Sequence, residues 1–520
     1  MNKFEEIKAA RDGLDVWPDI ERYAREGWEA ITDDDKARMK WYGLFFRKYT
    51  PGYFMLRIRM PNGMATSEQA EVIADIASEF GRGELDITTR QQVQVRWFRI
   101  EDVPEIFARL KAVGLDTRQT GMDNVRNIVG CPLAGLTAHE LLDASPVVQE
   151  LTSVIVGNRE FTNLPRKFNV TITGCTDNCV HLETQDIALG PARKYLHDGQ
   201  VNGFNIMVGG KMGSGGFTPA RSLDAFVTVH EAAAVCAEIT RLFRDYGSRE
   251  ARGRARLAFL IDDWGVERFR DELESRLGRP LERAGRDVRQ TSHQDHLGVA
   301  PQSERGLYAV GLAVPVGRLT SEQFRQAARL ARQYGRGELR LSPGQNLILT
   351  HVPDTRLREL LDEPLLAELR LDPAPAMRGT VACIGVGLCD LAMTDTKGDA
   401  LTVARRLEWS GQLRRPVSIH WSGCPAGCGN HLIADIGLQG GKARIGDEVV
   451  EVYQVFAGGR AGSNARPGVP VLSAIPAAEI GSVLERMTRA HSAGQDLVEA
   501  GLEIAAELGR VTEERVETVA

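Results

Sequence analysis

The stretch TSEQAEVIADIASEFGRGEL at residues 66–85 decides the fold, because both of its ends return in TSEQFRQAARLARQYGRGEL at residues 320–339. TSEQ and GRGEL each recur after 254 positions (66 to 320, and 81 to 335), and this fixed spacing indicates an internal repeat. The Thr that opens each copy can accept hydrogen bonds from the free N–H groups of a helix start. The sequence therefore predicts two related units, each with one capped helix.

Strand-like stretches lie on both sides of each capped helix. Alternating apolar residues occupy 54–59 and 307–314 before the helices, and short apolar stretches at 85–88 and 339–341 follow them. A second helix is predicted at 103–113 in the first copy and at 355–366 in the second. Each copy is thus predicted to form a small β-α-β unit that runs into a second helix.

A second repeated block lies downstream of each unit. GCTDNC and DIAL within residues 174–189 correspond to GCPAGC and DIGL within 423–438, and VGGK at 208–211 corresponds to AGGR at 457–460, all 249 positions apart. The duplication therefore spans two domains per half and predicts a pseudo-two-fold molecule whose shared site lies between the halves. Arg90 aligns with Gly344, so the copies differ chemically and we expect one functional site.

The composition is that of an ordinary globular chain with several domains. Its 520 residues exceed the roughly 250–300 that one core can hold. Hydrophobic residues make up 43% and charged residues 26%, and the formal net charge of -6 gives no reason to expect nucleic-acid binding. The N-terminal stretch lacks the apolar core of a signal peptide, and no apolar run reaches the roughly 18 residues of a membrane helix. We therefore expect a cytoplasmic protein that does not contact a membrane.

Four cysteines in the second half form two closely spaced pairs. Cys383 and Cys389 stand in C-x5-C, and Cys424 and Cys428 stand in C-x3-C, within glycine-rich segments. Four thiolates are the ligand set of a [4Fe-4S] cluster, and glycines let the backbone approach the sulfurs closely. Zinc in a non-enzymatic binding protein is an alternative, although structural zinc usually takes C-x2-4-C pairs. A third reading is four free cysteines that fill a core.

The first half keeps part of this cysteine pattern. Cys175 and Cys179 repeat the C-x3-C spacing, and Cys131 precedes them. A second cluster is conceivable there, but only three thiolates are offered, so we expect a remnant of the duplication. His181 and His431, beside the two C-x3-C pairs, are expected at surface or loop positions.

The two cysteine spacings, the duplication and the length together resemble the sirohaem-dependent nitrite and sulfite reductase family over nearly the whole chain. The resemblance implies that the four cysteines bind a [4Fe-4S] cluster and that Cys428 also bridges to the iron of a sirohaem. It implies an α+β fold, internally duplicated and pseudo-two-fold, with two small ferredoxin-like β-α-β half-domains and two larger α+β cofactor domains. The expected boundaries are a helical segment at 1–50, half-domains at 51–117 and 296–372, and cofactor domains at 118–295 and 373–520, the last with a helical tail.

Basic residues of the first half match the anion pocket of that family. Arg90 lies in TTRQ, Arg126 in GMDNVRN, and Lys167 and Asn169 in LPRKFN. By resemblance these four residues face the open side of the sirohaem, although a single surface Arg or Lys is usually solvated and contributes little. Sirohaem carries many carboxylates, and the residues expected to hold them are Arg57, Arg59, Arg96, Arg166, Lys211 and Arg460.

The expected substrate depends on the residue two positions after Lys167. Sulfite reductases of the family carry a second lysine there, whereas nitrite reductases carry asparagine, and this chain has Asn169. Sulfite is largely a dianion near neutral pH and nitrite is a monoanion, so a pocket with one cation fewer suits nitrite. We therefore expect the six-electron reduction of nitrite to ammonium, with assimilatory reduction of sulfite to sulfide as the alternative.

The electrons for such a reaction must come from a partner. No G-x-G-x-x-G segment follows a predicted strand, so the sequence offers no recognisable site for NAD or FAD. The resemblance implies ferredoxin as a transient donor. Because ferredoxins are acidic, we expect a local basic patch near the cluster loops and a weak, salt-sensitive interface.

Overall fold

The computed structural model describes residues 2–196, 199–213, 215–291 and 293–509. Within these residues the strands form four five-stranded sheets, two in each half of the chain. In chain order the strands are β1 (Leu44–Phe46), β2 (Phe54–Ile58), β3 (Met64–Thr66), β4 (Glu84–Ile87), β5 (Val93–Phe98), β6 (Val170–Ile172), β7 (Ile187–Leu196), β8 (Gly199–Val208), β9 (Arg221–Val227), β10 (Arg286–Asp287), β11 (Gly298–Pro301), β12 (Leu307–Leu312), β13 (Arg318–Thr320), β14 (Glu338–Leu341), β15 (Leu347–Pro353), β16 (Thr380–Ala382), β17 (Ile419–Ser422), β18 (Ile436–Ile445), β19 (Glu448–Ala457) and β20 (Val469–Pro476).

Helices precede the first sheet, connect strands and cover the sheet faces. In chain order they are α1 (Lys3–Ala10), α2 (Trp17–Glu26), α3 (Asp33–Arg38), α4 (Ser67–Glu79), α5 (Val103–Ala112), α6 (Ser145–Ile155), α7 (Val229–Tyr246), α8 (Leu257–Leu277), α9 (Ser321–Tyr334), α10 (Asp354–Leu361), α11 (Pro364–Glu368), α12 (Pro375–Arg378), α13 (Thr396–Ser410), α14 (Ala477–Ser492) and α15 (Leu497–Glu507). Over the described ranges, no helix is both long enough and apolar enough to cross a membrane.

The capped helices α4 and α9 begin where the repeat predicts. In α4 the Thr66 hydroxyl accepts a hydrogen bond from the Gln69 N–H at 3.1 Å, and the Gln69 side chain accepts one from the Thr66 N–H at 3.0 Å. Thr320 and Gln323 make the same pair of bonds at the same distances in α9. Each pair satisfies two N–H groups that would otherwise lack partners, which fixes the start of the helix.

The two small sheets exchange a strand. Their orders are β1-β2-β5-β4-β13 and β11-β12-β15-β14-β3, so the three-residue strand before each capped helix joins the sheet of the other half. Met64 in β3 pairs with Arg340, and Arg318 in β13 pairs with Asp86. The two predicted β-α-β units are confirmed, but their interlocking was not predicted, because three residues are too few to show a strand periodicity.

One hydrophobic core serves both small sheets. It combines Ile73 and Ile76 from α4 with Phe324 and Leu330 from α9, and these two helices pack against each other. Ile20 of the N-terminal helix α2 joins the same core. The exchanged strands and this shared core hold the two halves in one arrangement, which also fixes the site between them.

The two larger sheets repeat one topology. In the first-half sheet, β6 and β7 are parallel. In the second-half sheet, β16, β17 and β18 are parallel neighbours. The remaining neighbours in both sheets are antiparallel. The segment from β6 to β7 contains Cys175 and Cys179, and the segment from β17 to β18 contains Cys424 and Cys428. Both C-x3-C motifs therefore leave the carboxyl end of a parallel strand.

Two predicted helices differ from the structure. The helix expected at 355–366 is two helices, because Pro364 has no N–H to continue α10 and starts α11 instead. The predicted helical tail of the last domain is likewise two helices, α14 and α15, with Asp496 capping the second. Residues 510–520 of this tail lie outside the described residues.

Candidate active site

The four predicted cluster cysteines lie in two loops at the ends of neighbouring parallel strands. Cys383 directly follows β16, and Cys424 comes just after β17. Because the carboxyl ends of parallel strands meet at the same edge of a sheet, the two loops lie side by side. The Gly423 N–H donates to the Cys383 sulfur at 3.1 Å, which links the loops directly.

The thiols of these loops are close enough to influence one another. Burial, followed by the charge of Cys428, raises the pKa of Cys424 to about 12, and Cys389 and Cys383 add to this effect. Burial raises the pKa of Cys383 as well. Such thiols ionise readily only beside a positive charge, which an iron cluster supplies. Cys428 is exposed and the other three are partly buried, so its sulfur is the most accessible to a second group.

The first half reaches the cluster loop at Cys428. The Thr89 hydroxyl donates to the backbone carbonyl of Cys428 at 3.0 Å. Arg90, the next residue in the TTRQ segment, interacts electrostatically with Cys428 and donates from its guanidinium to the Gln185 side chain at 3.4 Å. The site is therefore built across the seam between the repeated halves, as the duplication predicts.

Four half-buried cations of the first half gather at this seam without a carboxylate partner. Across the described ranges, no Asp or Glu is in ion-pair contact with Arg57, Arg90, Arg126 or Lys167. Burial, together with nearby positive charges, lowers the pKa of Arg57 and Arg90 to about 10 and that of Lys167 to about 7. Buried charges are normally paired. This arrangement therefore favours an anionic ligand.

Backbone carbonyls orient two of these cations. The Arg57 guanidinium donates to the Thr120 carbonyl at 2.9 Å and lies over the Phe45 ring at 4.8 Å. Arg126 donates to the Thr120 carbonyl and, at 2.7 Å, to that of Met122, while its Nε is buried with no partner. These neutral acceptors fix the direction of the guanidinium groups and leave their charge uncompensated.

A buried ion pair between Asp186 and Arg256 holds the backbone of Asn169. The Asn169 N–H donates to Asp186 at 2.8 Å, and Asp186 accepts from Arg256 at 2.6 Å. The Asn169 side-chain oxygen is buried with no partner, so it is available to a ligand. Asp186 and Arg256 were not among the predicted site residues. The repeated DIAL and DIGL motifs carry a signal for Asp186, because Asp435 accepts from the Ser418 N–H at 2.9 Å in the same way.

The other residues expected to hold sirohaem carboxylates are mostly engaged by the protein. The Arg59 guanidinium donates only to backbone carbonyls, those of Arg118, Val125 and Arg126. Arg96 is paired with Asp86. These two guanidinium groups therefore serve the fold, and the structure gives no support for their predicted cofactor role.

Arg166 and Lys211 border the same region with weaker attachments. Arg166 approaches Asp123 at 3.7 Å, and Lys211 donates to the Gly216 carbonyl at 3.0 Å. Lys211 also interacts electrostatically with Arg256 and Asp186, the ion pair that holds the Asn169 backbone. Both side chains remain candidates for a cofactor carboxylate.

Arg460 lies apart from the other expected cofactor residues. It lines a separate cavity of about 620 Å³ together with Gly344 and Ser418, which are the second-half counterparts of Arg90 and Asn169. Arg460 itself is the counterpart of Lys211. The repeat explains the difference, because equivalent residues occupy equivalent but opposite positions in a pseudo-two-fold molecule.

The histidines next to the C-x3-C pairs differ in exposure, since His431 is buried and His181 is half-buried. The expectation of surface or loop positions was wrong for His431, whose imidazole is buried with its Nδ1 3.0 Å from the Ser422 hydroxyl. Burial lowers the pKa of His431 to about 4, so it is neutral near pH 7. His181 stacks on His293 with ring centroids 5.3 Å apart. Polar residues in Gly-rich loops can thus be enclosed by the fold even where the local sequence predicts exposure.

Fold and site together define a class of protein: a duplicated iron–sulfur oxidoreductase in which cluster loops of one half meet cations of the other. The chain belongs to the nitrite and sulphite reductase family, as its resemblance implied. The family's "Nitrite and sulphite reductase 4Fe-4S domain" matches residues 121–281 and 374–498. Its "Nitrite/Sulfite reductase ferredoxin-like half domain" matches residues 47–113 and 300–367. The expected duplicated α+β architecture is confirmed.

Relatives match the chain over nearly its full length. A ferredoxin–nitrite reductase of Synechococcus elongatus is 46% identical over 494 residues, which cover 94% of this chain and 96% of the relative. A chloroplastic ferredoxin–nitrite reductase of Spinacia oleracea is 41% identical, covering 92% of this chain and 84% of the relative. The solved structure of the Mycobacterium tuberculosis NirA protein superposes with a TM-score of 0.89 at 32% identity, covering 96% of this chain and 95% of that one.

Proposed function

We propose that this chain reduces nitrite to ammonium at a sirohaem coupled to a [4Fe-4S] cluster, with electrons from reduced ferredoxin. The observation that carries the proposal is the group of four half-buried, unpaired cations, Arg57, Arg90, Arg126 and Lys167, of which all but Arg126 interact electrostatically with Cys428. The names of the relatives support both the substrate and the donor. A cytoplasmic location completes the proposal, because cluster thiolates need reducing surroundings.

The residues present fit both cofactors. Cys383, Cys389, Cys424 and Cys428 provide four sulfurs for the cluster, with Cys428 the most exposed of the set. Buried cations without carboxylate partners are suited to the many acidic groups of sirohaem. When bound, the two cofactors would supply the iron that takes the substrate and the path for its electrons.

Arg90, Arg126 and Lys167 have the substrate roles in this proposal. Arginine stays protonated throughout the physiological range, so Arg90 and Arg126 provide permanent positive charge for the nitrite oxygens. Lys167, with a pKa of about 7, can release and regain a proton near neutral pH, which suits a proton donor. Asn169 adds a neutral polar group, which keeps the pocket balanced for a monoanion.

An exposed basic patch next to the cluster loop supports ferredoxin as the donor. Lys48 is exposed, and its N–H donates at 3.0 Å to Asp390, the residue after Cys389. Arg82 and Arg99 are exposed as well. We define the basic patch as Lys48, Arg82 and Arg99. An acidic electron carrier docked on this patch would lie close to the cluster.

Aromatic rings connect the basic patch to the cluster loop. Arg82 lies 3.7 Å over the Trp97 ring, and Arg99 lies 5.5 Å over Tyr53, which packs edge-on against Trp97. Trp97 and Leu388 line the same small crevice, and Leu388 immediately precedes Cys389. The patch and the cluster loop are therefore parts of one surface.

The test combines a spectrum with two substrates. Protein purified after expression with iron and sirohaem synthesis is expected to show sirohaem absorption bands and to form ammonium from nitrite with reduced ferredoxin. Sulfide formation from sulfite at a higher rate than ammonium formation from nitrite would instead favour the sulfite alternative. A colourless preparation with bound zinc would favour the non-enzymatic reading.

A pair of cysteine variants assigns the cluster. Cys428→Ser is expected to lose cluster iron and sirohaem absorption together, because the proposal makes its sulfur the shared ligand. Cys236→Ala is the control, because Cys236 is buried in the core of the first large domain. Full iron content in Cys428→Ser would remove that residue from the ligand set.

A further inference from the structure

Three cysteines of the first half converge where the sequence suggested only a remnant. The Sγ atoms of Cys131, Cys175 and Cys179 all lie within 4.8 Å of one another, and all three residues are buried. Within the described part of the chain, this is the only group of three or more potential metal-ligating side chains that meets so closely. The four proposed cluster cysteines of the second half are more widely spaced.

The duplication accounts for three of the four cluster positions. Cys175 and Cys179 correspond to Cys424 and Cys428 at the offset of 249, and Cys131 precedes them much as Cys383 precedes its pair. No first-half cysteine corresponds to Cys389. The first-half group therefore offers three sulfurs where the second half offers four.

A histidine from another segment approaches the three sulfurs. The Nε2 atom of His296 lies 3.8 Å from the Cys131 sulfur. A Cβ on Gly311 would lie only 1.8 Å from the His296 carbonyl oxygen, so strand β12 packs directly against the histidine backbone. With the three sulfurs, this imidazole nitrogen would complete a Cys3His donor set, a common ligand set for structural zinc, although it contacts the Cys131 sulfur and lies outside the 4.8 Å grouping of all three sulfurs.

The spacing favours one ion over a cluster. Zn–S bonds of about 2.3 Å in a tetrahedron place the sulfurs about 3.8 Å apart, within the 4.8 Å limit of this group. A four-iron cubane holds its thiolates further apart, because several metal atoms stand between them. The second-half cysteines are more widely spaced, which suits a cluster. The first-half cysteines are too close together for one.

The surroundings are those of a closed structural site. The Asp177 N–H donates to the Cys175 sulfur at 3.4 Å, a contact that orients a ligating sulfur. Leu133, Val180 and Ile348 belong to the apolar cluster that encloses the three cysteines. Three thiols could fill such a core without a metal. Apolar packing alone, however, gives no reason for a polar imidazole nitrogen beside them.

The neighbouring cavity provides a route for an ion. Cys179 and His296 both line the cavity of about 620 Å³ that also contains Arg460. At the positions equivalent to Arg90 and Lys167 this cavity has Gly344 and Pro416, so two of the four cations of the active site have no counterpart there. The cavity is thus an entry path to the cysteines and does not repeat the active site.

We propose that Cys131, Cys175, Cys179 and His296 bind one Zn²⁺ ion with a structural role. The ion would tie the β6–β7 segment to the segment that precedes β11, and so connect the first large domain to the second half of the chain. The proposal is independent of the nitrite reductase activity, and its failure would leave that activity unaffected.

The experiment measures metals in the purified holoenzyme from medium that contains both zinc and iron. Elemental analysis after removal of loosely held ions is expected to give about one zinc per chain in addition to the cofactor iron. In Cys175→Ser and in His296→Ala the zinc is expected to fall at least fivefold while iron content and the visible spectrum stay unchanged. Cys236→Ser removes another buried first-half cysteine and is expected to keep its zinc.

A second measurement does not depend on variants that could fold poorly. Zinc-edge X-ray absorption of the wild-type holoenzyme is expected to show three sulfur ligands and one nitrogen ligand. Any of three results would overturn the proposal: no zinc above the blank, zinc retained in both Cys175→Ser and Cys179→Ser, or extra iron in place of zinc. A disulfide between two of the three cysteines in the native protein would overturn it as well.

Discussion

Lys167 is the candidate active-site residue whose charge depends most on pH in the physiological range. Burial, together with repulsion from Arg256, Arg90 and Arg126, lowers its pKa to about 7, while Cys428 acts in the opposite direction. The protonated amine is the form that attracts nitrite and donates a proton, and this form is lost as the pH rises through the pKa. We therefore expect kcat/KM for nitrite to fall above about pH 7.

Two substitutions of Lys167 distinguish the contribution of its positive charge from its role as a proton donor. With a chemically reduced viologen as donor, Lys167→Met is expected to lower turnover by roughly 10²-fold or more while the absorption spectrum stays unchanged. Lys167→Arg keeps a permanent charge, so the decline above pH 7 is expected to disappear. The pH profiles of both variants and the wild type provide the check, and an unchanged decline in Lys167→Arg would assign it to another group.

Asn169 is the residue expected to set the preference between anions. Asn169→Lys adds a cation beside Lys167, which favours the dianion sulfite over the monoanion nitrite. We expect the ratio of sulfite to nitrite kcat/KM to rise about tenfold, equivalent to about 1.4 kcal/mol. Asn169→Gln, which adds length without charge, is the control. An equal rise in Asn169→Gln would mean that size, and not charge, decides the preference.

At the residue scale, the family resemblance of TTRQ, GMDNVRN and LPRKFN predicts that Arg90, Arg126 and Lys167 share one site. The structure brings the three side chains close enough to interact electrostatically, while their roles toward a substrate stay a prediction. The pair of Asp186 and Arg256 spans 70 positions, and the buried arginine belongs to no repeated motif. Only the folded chain shows that this pair supports the site.

At the scale of elements, the helix caps are the features that the sequence predicts most directly. Thr66→Ala removes the acceptor for the Gln69 N–H and is expected to destabilise helix α4 by about 1 kcal/mol. Thr320→Ala is expected to have a similar effect on α9. Thermal unfolding followed by circular dichroism measures both, with Thr66→Ser, which keeps the hydroxyl, as the control. Equal destabilisation by Thr66→Ser would assign the effect to lost packing of the methyl group.

The strand exchange shows what local patterns leave out. The helices α4 and α9 follow from a cap and an amphipathic period, both of which are local. The partner of β3 is β14, more than 250 positions away, and the choice depends on how the two halves pack. Pro364 is the opposite case, since the break between α10 and α11 follows from one residue that the sequence displays.

At the scale of the whole molecule, duplication followed by divergence separates the tasks of the two halves. The second half provides the proposed cluster cysteines, and the first half provides the unpaired cations. The bond from Thr89 to Cys428 joins them at 3.0 Å. On the opposite side of the pseudo-two-fold axis, Gly344 and Pro416 stand at the positions of Arg90 and Lys167, and three cysteines with a histidine lie close together. The repeat period predicted the seam, but the chemistry on each side of it depends on substitutions that only the folded geometry brings together.

The same pseudo-symmetry supplies a matched test of electron-donor docking. Arg82 in the basic patch and Arg336 occupy equivalent positions of the two GRGEL motifs, and both are exposed. Exposed charges at an interface mainly change association rates and salt dependence.

Arg82→Glu is therefore expected to raise KM for ferredoxin roughly tenfold at low salt, and to weaken the loss of turnover that added salt causes. Arg336→Glu changes the net charge by the same amount on the far side and is expected to leave KM for ferredoxin unchanged. Viologen-driven turnover, which needs no docking, is expected to be normal in both variants. Equal effects of the two substitutions on KM would show that net charge governs the encounter and that the patch beside the cluster is not the docking surface.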